Sequence, residues 1–232
     1  GTQINFRFED TIGLLPLFAL DENGYKKIIE LSSKSYLEND KDLDPHLDIN
    51  DLLKLDNSGI SIFSGALFGL FGKLFDKGKF SEITNLYSKL NKSFGDKFYL
   101  EIQRHKDLNE VGFEKFNLNQ SNNLKIPIIA TNEVFYLEKN MHEAHDALIC
   151  IGNKTYINEK NRVKYSSEHY LKSDLEMSEL FADIPEALEN NYSFPLRCSY
   201  RPLFSKPILP NISSSEDGNA RKKIKKDSLN GL

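Results

Sequence analysis

The chain has 232 residues, of which 39% are hydrophobic, and its formal net charge at pH 7 is −4. This length is enough for one large domain or two small ones with a hydrophobic core. The weakly acidic balance excludes a nucleic-acid-binding surface that covers the whole sequence, although a local basic stripe remains open.

The cysteine content and the lack of long apolar runs bear on disulfides, zinc binding and membrane association. Cys150 and Cys198 form no CxxC motif, which excludes a cysteine zinc site and a disulfide framework and indicates a reduced, cytoplasmic protein. No apolar run approaches the roughly 18 residues of a membrane span, and no signal peptide is recognisable. We therefore expect no association with a membrane.

The first half of the chain alternates predicted strands and helices. Ile4, Phe6 and Phe8 alternate with polar residues, which predicts a strand at the start of the sequence. Further strands are predicted at LLPLFAL and GISIFSG, and helices from Asp21 onward, over residues 48–55 and over FSEITNLYSKLNKSF. The last of these helices has a predicted apolar face formed by Phe80, Ile83, Leu86, Tyr87, Leu90 and Phe94.

The second half continues the alternation. Strands are predicted at DKFYLEIQ and KIPIIATN, and helices over residues 110–119 and 141–151. This order, without an internal repeat, is typical of a parallel α/β sheet or barrel. From Pro195 the composition shifts to proline, serine and basic residues, which predicts an extended linker that includes NISSSEDGN.

Both ends of the sequence indicate a piece of a longer protein. The first residues already form a strand pattern, and Ile224, Leu229 and Leu232 form the apolar side of a helix that no stop signal ends. We expect a fragment, against the alternative of ordinary short termini.

Metal-ligating residues are sparse where an α/β barrel would place a site. Functional residues in such barrels lie at the carboxyl ends of the strands, and only Glu133 and His105 combine a suitable side chain with that position. Two ligands make a weak site, because divalent metals take three or more. His142 and His145 stand in HExH rather than HExxH spacing, so we interpret them as polar residues of a helix.

Phosphate-binding motifs are equally weak. The glycine-rich stretch GALFGLFGKLF is apolar and lacks a Ser or Thr after Lys73, so it does not predict a phosphate-binding loop. A basic run near the carboxyl end either contacts phosphates or forms a solvated helix face. Its lysines are Lys222, Lys223, Lys225 and Lys226.

Several longer stretches resemble one family. GYKKIIELSSKSYLE, FYLEIQRH, IPIIATNEVFYL, HEAHDALICIG and SELFADIPEALENNYSFPLRC are together similar to the amino-terminal region of bacterial replicative DNA polymerase III alpha subunits, the C-family polymerases. The resemblance covers essentially the whole chain, and LFADIPEAL is its most specific part. It implies an α/β fold, a PHP (polymerase and histidinol phosphatase) domain built as a distorted (β/α)7 TIM-like barrel that is incomplete at its amino end.

The resemblance also implies a domain organisation. Residues 1–196 correspond to the PHP domain without its first strands, and residues 197–232 to a linker and the start of the polymerase palm. The family's paired His-x-His and the catalytic aspartates of its palm are expected to lie outside this sequence.

Five positions correspond to metal ligands of the family, and all five depart from the expected residue. Where the family has Glu, His, Cys, Asp and His, this chain carries Gln3, Leu14, Ala66, Glu133 and Phe135. The resemblance therefore implies lost hydrolase activity and no metal or cofactor bound by this chain. His105, which is not one of the five positions, stays a candidate residual ligand by its residue type and its place after a strand. We expect Leu14, Ala66 and Phe135 to fill the former cavity, because apolar groups avoid the cost of unpartnered buried carboxylates, and Glu133 to reach a basic or hydroxyl partner.

Three functions follow as expectations. The first is a non-catalytic scaffold that docks the proofreading exonuclease subunit and supports the remainder of the alpha subunit, whose Mg²⁺-dependent DNA synthesis lies outside this chain. The second is a metal-dependent phosphoesterase, of pyrophosphatase or exonuclease type, with altered ligands. The third is direct DNA contact through the four lysines near the carboxyl end.

Overall fold

The computed structural model describes residues 1–39, 44–204, 206–207 and 220–231. Contacts divide the chain into two compact units, Gly1–Tyr200 and Arg201–Leu232. The assignment of residues 1–196 to a PHP domain, and of residues 197–232 to a linker and palm segment, stays a prediction.

The first unit is built on one six-stranded sheet. Its strands are β1 (Thr2–Phe8), β2 (Thr11–Ala19), β3 (Leu47–Asp48), β4 (Ile60–Phe63), β5 (Phe98–Ile102) and β6 (Ile128–Ala130). They are ordered β3-β1-β2-β4-β5-β6. The five predicted strands are confirmed, and only the two-residue β3 was not predicted.

The strand pairing departs from the all-parallel sheet that the sequence favours. β4, β5 and β6 pair in parallel, as do β1 and β3, but β2 runs antiparallel to β1 and to β4. The cause is local, because only Glu9 and Asp10 join β1 to β2 and Glu9 has φ 52°, which produces a tight hairpin. The predicted α/β class is confirmed, and within the described residues the sheet does not close into a barrel.

Eight helices belong to the described part of the first unit. They are α1 (Glu22–Leu37), α2 (Ile49–Lys54), α3 (Leu70–Asp76), α4 (Phe80–Phe94), α5 (Glu110–Leu124), α6 (His142–Asn153), α7 (Asp174–Leu180) and α8 (Pro185–Ser193). The sequence predicts five of them and misses α3, α7 and α8. Glycines obscure α3, whereas α7 has a recognisable start, the reciprocal bonds of a capping box between Ser173 and Glu176.

Helix α4 contributes one face to the core. Its buried residues are Ile83, Leu86, Tyr87, Leu90 and Phe94. Phe80 was predicted on the same face but is 47% exposed. It stands in the first turn, at the rim of the core, where its ring lies 5.2 Å from the Phe75 ring.

Helix α1 packs very closely on the loop before β4. A Cβ at Gly24 would lie 1.7 Å from the carbonyl oxygen of Gly59, so only glycine allows this approach. The Asp21 carboxylate caps α1 by accepting a hydrogen bond from the Gly24 N–H at 2.8 Å. The close contact thus fixes the start of α1 against the sheet.

Residues 194–199 belong to the first unit and pack against its sheet, although the sequence predicts an extended linker from Pro195. Phe194 to Arg197 form a short 3-10 turn, and the Phe194 ring is buried 4.9 Å from the Phe63 ring. The Ser199 N–H donates to the Leu20 oxygen at 2.8 Å. Pro210 and the stretch NISSSEDGN lie outside the described residues.

The regular element described in the second unit is α9 (Ala220–Asn230). Ile224 and Leu229 on this helix are 67% and 63% exposed, while Leu232 lies outside the described residues. No helix in the described part of the chain has the length and apolar character needed to cross a bilayer.

Candidate functional site

Four of the five predicted former metal positions line one small cavity. Gln3 on β1, Leu14 on β2, Ala66 after β4 and Glu133 after β6 surround a space of about 50 Å³. A wider groove of about 370 Å³ adjoins it and shares Gln3 and Glu133. Among the described residues, no His or Cys lines either space; the other residues of the small cavity are Pro16, Gly65, Phe68, Gly69, Glu101 and Gln103.

Glu101 on β5 is the buried acidic group of this cavity, and the sequence did not single it out. Its Oε1 accepts hydrogen bonds from Gln103 Nε2 at 3.1 Å and from the Thr131 hydroxyl. Its Oε2 is buried without a hydrogen-bond partner among the described residues. Burial raises the pKa of Glu101, as does the charge of Glu133, against the opposing effect of the two bonds, which favours the neutral acid.

The cavity therefore provides few side chains that could act as ligands of a metal ion. Divalent metals take deprotonated ligands, and burial favours the neutral acid at Glu101, which leaves the half-buried Glu133 as the second carboxyl group of the cavity. Gln3 and Gln103 contribute neutral amides, and Leu14 and Ala66 contribute hydrocarbon. The arrangement is suited to packing and hydrogen bonding rather than to activating water.

Phe135, the fifth predicted position, is not among the residues that line this cavity. Its ring lies inside a stack of four rings, in the order His105, His169, Phe135 and His145. The successive centroid distances are 3.9 Å, 4.8 Å and 5.1 Å. The backbone explains the difference, since the Phe135 N–H donates to the His169 oxygen at 2.9 Å and so draws Phe135 away. The expectation that Phe135 fills the cavity is corrected accordingly.

His142 and His145 lie on α6, as the sequence predicts. His142 Nε2 is 3.0 Å from the Tyr165 oxygen. Desolvation by burial lowers the pKa of His145, and the neighbouring histidines act in the same direction. Neither residue belongs to a cluster of three or more metal-ligating side chains within the described residues.

One such cluster does exist, at the other end of the ring stack. His105, Asp107 and His169 each present a ligand atom, and these atoms all lie within 4.8 Å of one another. His169 Nε2 is 3.3 Å from Asp107 Oδ2, and His105 Nε2 is 3.0 Å from Asn132 Oδ1. Both imidazoles are buried. His105 is thus placed away from the cavity, with partners that the sequence had not joined to it.

The loop after β5, which carries His105 and Asp107, is firmly anchored. The Glu110 carboxylate accepts hydrogen bonds from the backbone N–H groups of His105 at 2.8 Å and Lys106 at 2.7 Å. Just before the loop, the Arg104 guanidinium pairs with Glu114 at 2.5 Å and Asp183 at 2.6 Å. The carboxylates of Asp183 and Glu114 raise the pKa of Arg104, so the guanidinium stays charged and its ion pairs hold the start of the loop.

The lysines proposed to contact phosphates lie on α9 in the second unit. Lys222, Lys223, Lys225 and Lys226 are all exposed. Lysines are exposed both on a solvated helix face and on a phosphate-binding face, so the role of these four lysines stays a prediction.

The sequence of the chain was compared with protein families and with known proteins. A family model for the PHP domain matches residues 1–105. The chain is 34% identical over its whole length to DNA polymerase III subunit alpha of Rickettsia conorii and 31% identical over 94% of its length to that of Caulobacter vibrioides. It is 36% identical over 85% of its length to the Borreliella burgdorferi subunit. The chain spans 20%, 19% and 17% of these relatives' lengths, respectively.

Proposed function

The chain belongs to the DNA polymerase III alpha subunit family and carries its PHP domain, and on this premise we propose that it is a non-catalytic scaffold and docking domain. Its partners are the proofreading exonuclease subunit and the remainder of the alpha subunit. In that parent polypeptide we assign DNA-directed DNA synthesis, its Mg²⁺ ions and the main DNA contacts to segments outside this chain, and we place the protein in the cytoplasm.

The cavity chemistry is the observation that carries this proposal. Gln3, Leu14, Ala66 and Glu133 converge on one small space, so the four substitutions affect a single site rather than scattered positions. A hydrolytic metal centre needs several ionised or imidazole ligands around an open position. These four residues provide one carboxylate among them, which supports a domain that has kept its packing and lost its hydrolysis.

The alternative is a metal-dependent phosphoesterase of pyrophosphatase or exonuclease type. One observation favours it, namely that Glu101 and Glu133 both reach the same cavity. The test is to incubate the chain with Mn²⁺ or Zn²⁺ and pyrophosphate, a phosphate monoester or single-stranded DNA. We expect no hydrolysis above that of the Glu133→Gln variant, and hydrolysis that this substitution abolishes would overturn the non-catalytic proposal.

Docking requires an accessible surface, and α6 presents the clearest one to test. Leu148 and Ile151, one helical turn apart, are 64% and 74% exposed, while Cys150 on the other side is buried. The helix is held in place by Arg162, whose two terminal nitrogens bond the Asp146 carboxylate at 2.5 Å and 2.6 Å. A rigid helix with an outward apolar face suits helix-in-groove or surface docking.

A capture experiment tests docking directly. The immobilised chain is expected to retain the purified proofreading exonuclease subunit, and Leu148→Ser with Ile151→Ser is expected to weaken that retention, because the apolar area available to the partner shrinks. The matched control is Tyr36→Ser with Leu37→Ser on α1, two residues that are 71% and 82% exposed. Failure of the unmodified chain to retain the subunit would contradict the docking role.

A further inference from the structure

We propose that His105, Asp107 and His169 form a binding site for a divalent transition-metal ion of the Zn²⁺ type. None of the three lines the cavity described above, and none occupies a position that the family resemblance marks as a ligand. Two imidazole nitrogens and one carboxylate oxygen form a donor set of borderline hardness, which suits Zn²⁺ better than Mg²⁺ or Ca²⁺.

The hydrogen bonds of the two imidazoles leave one nitrogen free on each ring. His169 Nδ1 lies 3.1 Å from the backbone oxygen of Glu133, an atom that only accepts, so this nitrogen carries a proton. His105 Nε2 lies 3.0 Å from Asn132 Oδ1. That oxygen also accepts from Lys172, and the Asn132 amide nitrogen donates to the Tyr170 oxygen, which identifies Oδ1 as the acceptor. In the neutral imidazole, which is the form that binds metals, the remaining nitrogen of each ring then carries a lone pair.

Both lone pairs face carboxylates. His169 Nε2 is 3.3 Å from Asp107 Oδ2, and His105 Nδ1 is 3.6 Å from Glu110 Oε1. A lone pair opposite a carboxylate is repulsive unless a proton or a metal ion lies between them. A divalent ion bound by the two rings and by Asp107 removes this repulsion.

The distance between His169 and Asp107 fits a shared metal better than an ion pair. Charge-assisted hydrogen bonds between nitrogen and oxygen are typically about 2.7–2.9 Å long. Two ligands of a tetrahedral Zn²⁺ with bonds of about 2.1 Å lie about 3.4 Å apart, and the observed separation is 3.3 Å. The backbone oxygen that accepts from His169 supplies the outer contact that orients a metal-binding imidazole.

Binding requires one ring to turn. The two rings are nearly parallel, at 7°, whereas a metal ion lies in the plane of each imidazole that binds it. We assign the turn to His105, because Asn132 Oδ1 keeps its bond from Lys172 at 3.2 Å when the imidazole leaves. His169 can stay in place, with its Nδ1 still bonded to the Glu133 oxygen.

The charges around the cluster tolerate a cation. Asp107 and Glu110 face the rings directly. Lys106 and Lys139 are both paired with Glu168, at 3.4 Å and 2.6 Å, so their charge is partly neutralised. Asp107 lies nearer the surface than the two rings and gives an ion its route to the site.

Metal titration of the 232-residue chain tests the site. The chain is stripped with a chelator and titrated with Zn²⁺ by calorimetry and with Co²⁺ by visible absorption, which reports the ligand geometry. We expect one ion per chain and an affinity lower by at least about 100-fold in Asp107→Asn and in His169→Asn, since even removing an outer contact costs about 10–100-fold. His46→Asn is the matched control, because His46 is an equally buried histidine outside the cluster.

Two results would overturn the proposal: no stoichiometric Zn²⁺ binding, or binding that survives both Asp107→Asn and His169→Asn in folded variants, as judged by circular dichroism. Binding that is lost instead in Glu101→Gln with Glu133→Gln would assign the ion to the cavity and also count against this site. The non-catalytic function is tested separately, by hydrolysis, so the two proposals can fail independently.

Discussion

Glu101 is a buried carboxyl group that lacks a full set of hydrogen-bond partners within the described residues. It extends from a strand whose five residues are all buried, and its Oε2 has no hydrogen-bond partner among the described residues. An unsatisfied buried polar atom costs about 1–3 kcal/mol. The protein tolerates this cost more easily when the group is neutral, which is the form that burial favours by raising the pKa of Glu101.

The pH dependence of stability follows from that shift. Because the folded pKa of Glu101 lies above its ordinary value of 4.5, the folded state binds the proton more tightly than the unfolded state. The contribution of this carboxyl is therefore fully present below pH 4.5 and is lost as the pH rises through the folded pKa. Glu101→Gln is expected to match the natural chain near pH 4 and to exceed it by roughly 1–3 kcal/mol near pH 8.

Urea unfolding across that pH range measures the difference. Glu189→Gln on α8, which changes an exposed carboxylate, serves as the control and is expected to change stability little at any pH. A stability difference between Glu101→Gln and the natural chain that stays constant from pH 4 to pH 8 would contradict a raised pKa.

At the scale of elements, backbone contact rather than side-chain contact decides how α1 sits on the sheet. The start of this helix lies against Gly59, with no room for a side chain at Gly24. The same glycine N–H completes the cap made by Asp21. Helix capping and helix packing therefore depend on one residue, and a substitution there disturbs both.

A pair of glycine substitutions separates this contact from helix propensity. Gly24→Ala is expected to destabilise the protein by roughly 1–3 kcal/mol or more, because its Cβ would overlap a carbonyl oxygen. Gly152→Ala on α6 is expected to be neutral or stabilising by up to about 1 kcal/mol, since nothing lies within 4 Å of the added Cβ. Thermal unfolding of both variants checks this, and equal effects would contradict the role of close approach.

Elements were predictable where apolar periodicity was strong, as in α4, and where short apolar runs ended at turn residues, as in β4. Strand direction was not, because the hairpin between β1 and β2 uses Glu9 and Asp10 rather than the Asn-Gly or Asp-Gly pairs that mark such turns. Periodicity reports which face of an element is buried. It does not report which neighbour covers that face.

The candidate site was partly predictable at the same scale. The resemblance brought Gln3, Leu14, Ala66 and Glu133 together, and these four do line one cavity. His169 gave no signal, because it reaches His105 only where a distant segment returns beside Phe135 and Tyr136, beyond the end of β6. Glu101 gave none either, since a carboxylate inside an apolar strand pattern is indistinguishable from one that points to solvent.

At the scale of the whole molecule, charge is distributed unevenly between the units. The net charge is −4, yet α9 carries four exposed lysines within five positions. Such a segment attracts phosphates even when the complete chain is acidic, because screening limits the influence of distant carboxylates to about 8 Å at physiological salt.

Replacing Lys222, Lys223, Lys225 and Lys226 by glutamine is expected to remove most of the DNA affinity of the chain. The slope of the logarithm of the binding constant against the logarithm of the salt concentration should decrease in magnitude by up to roughly 3.6 for duplex DNA. This is about 0.9 for each phosphate that a lysine no longer neutralises. The measurement is fluorescence anisotropy at several salt concentrations. The control replaces four exposed lysines of the first unit, Lys89, Lys92, Lys115 and Lys160, and a larger effect there would place DNA contact elsewhere.

The four stacked rings are expected to produce ring-current shifts that can be followed by NMR. Aromatic rings displace the resonances of nuclei that lie over their faces, and the Phe135 ring lies between two imidazoles, at 22° to His169 and 9° to His145. Its protons are therefore expected upfield of an ordinary phenylalanine in an NMR spectrum. Any turn of His105 at one end of the stack, or any displacement of α6 at the other, would be recorded by those few signals.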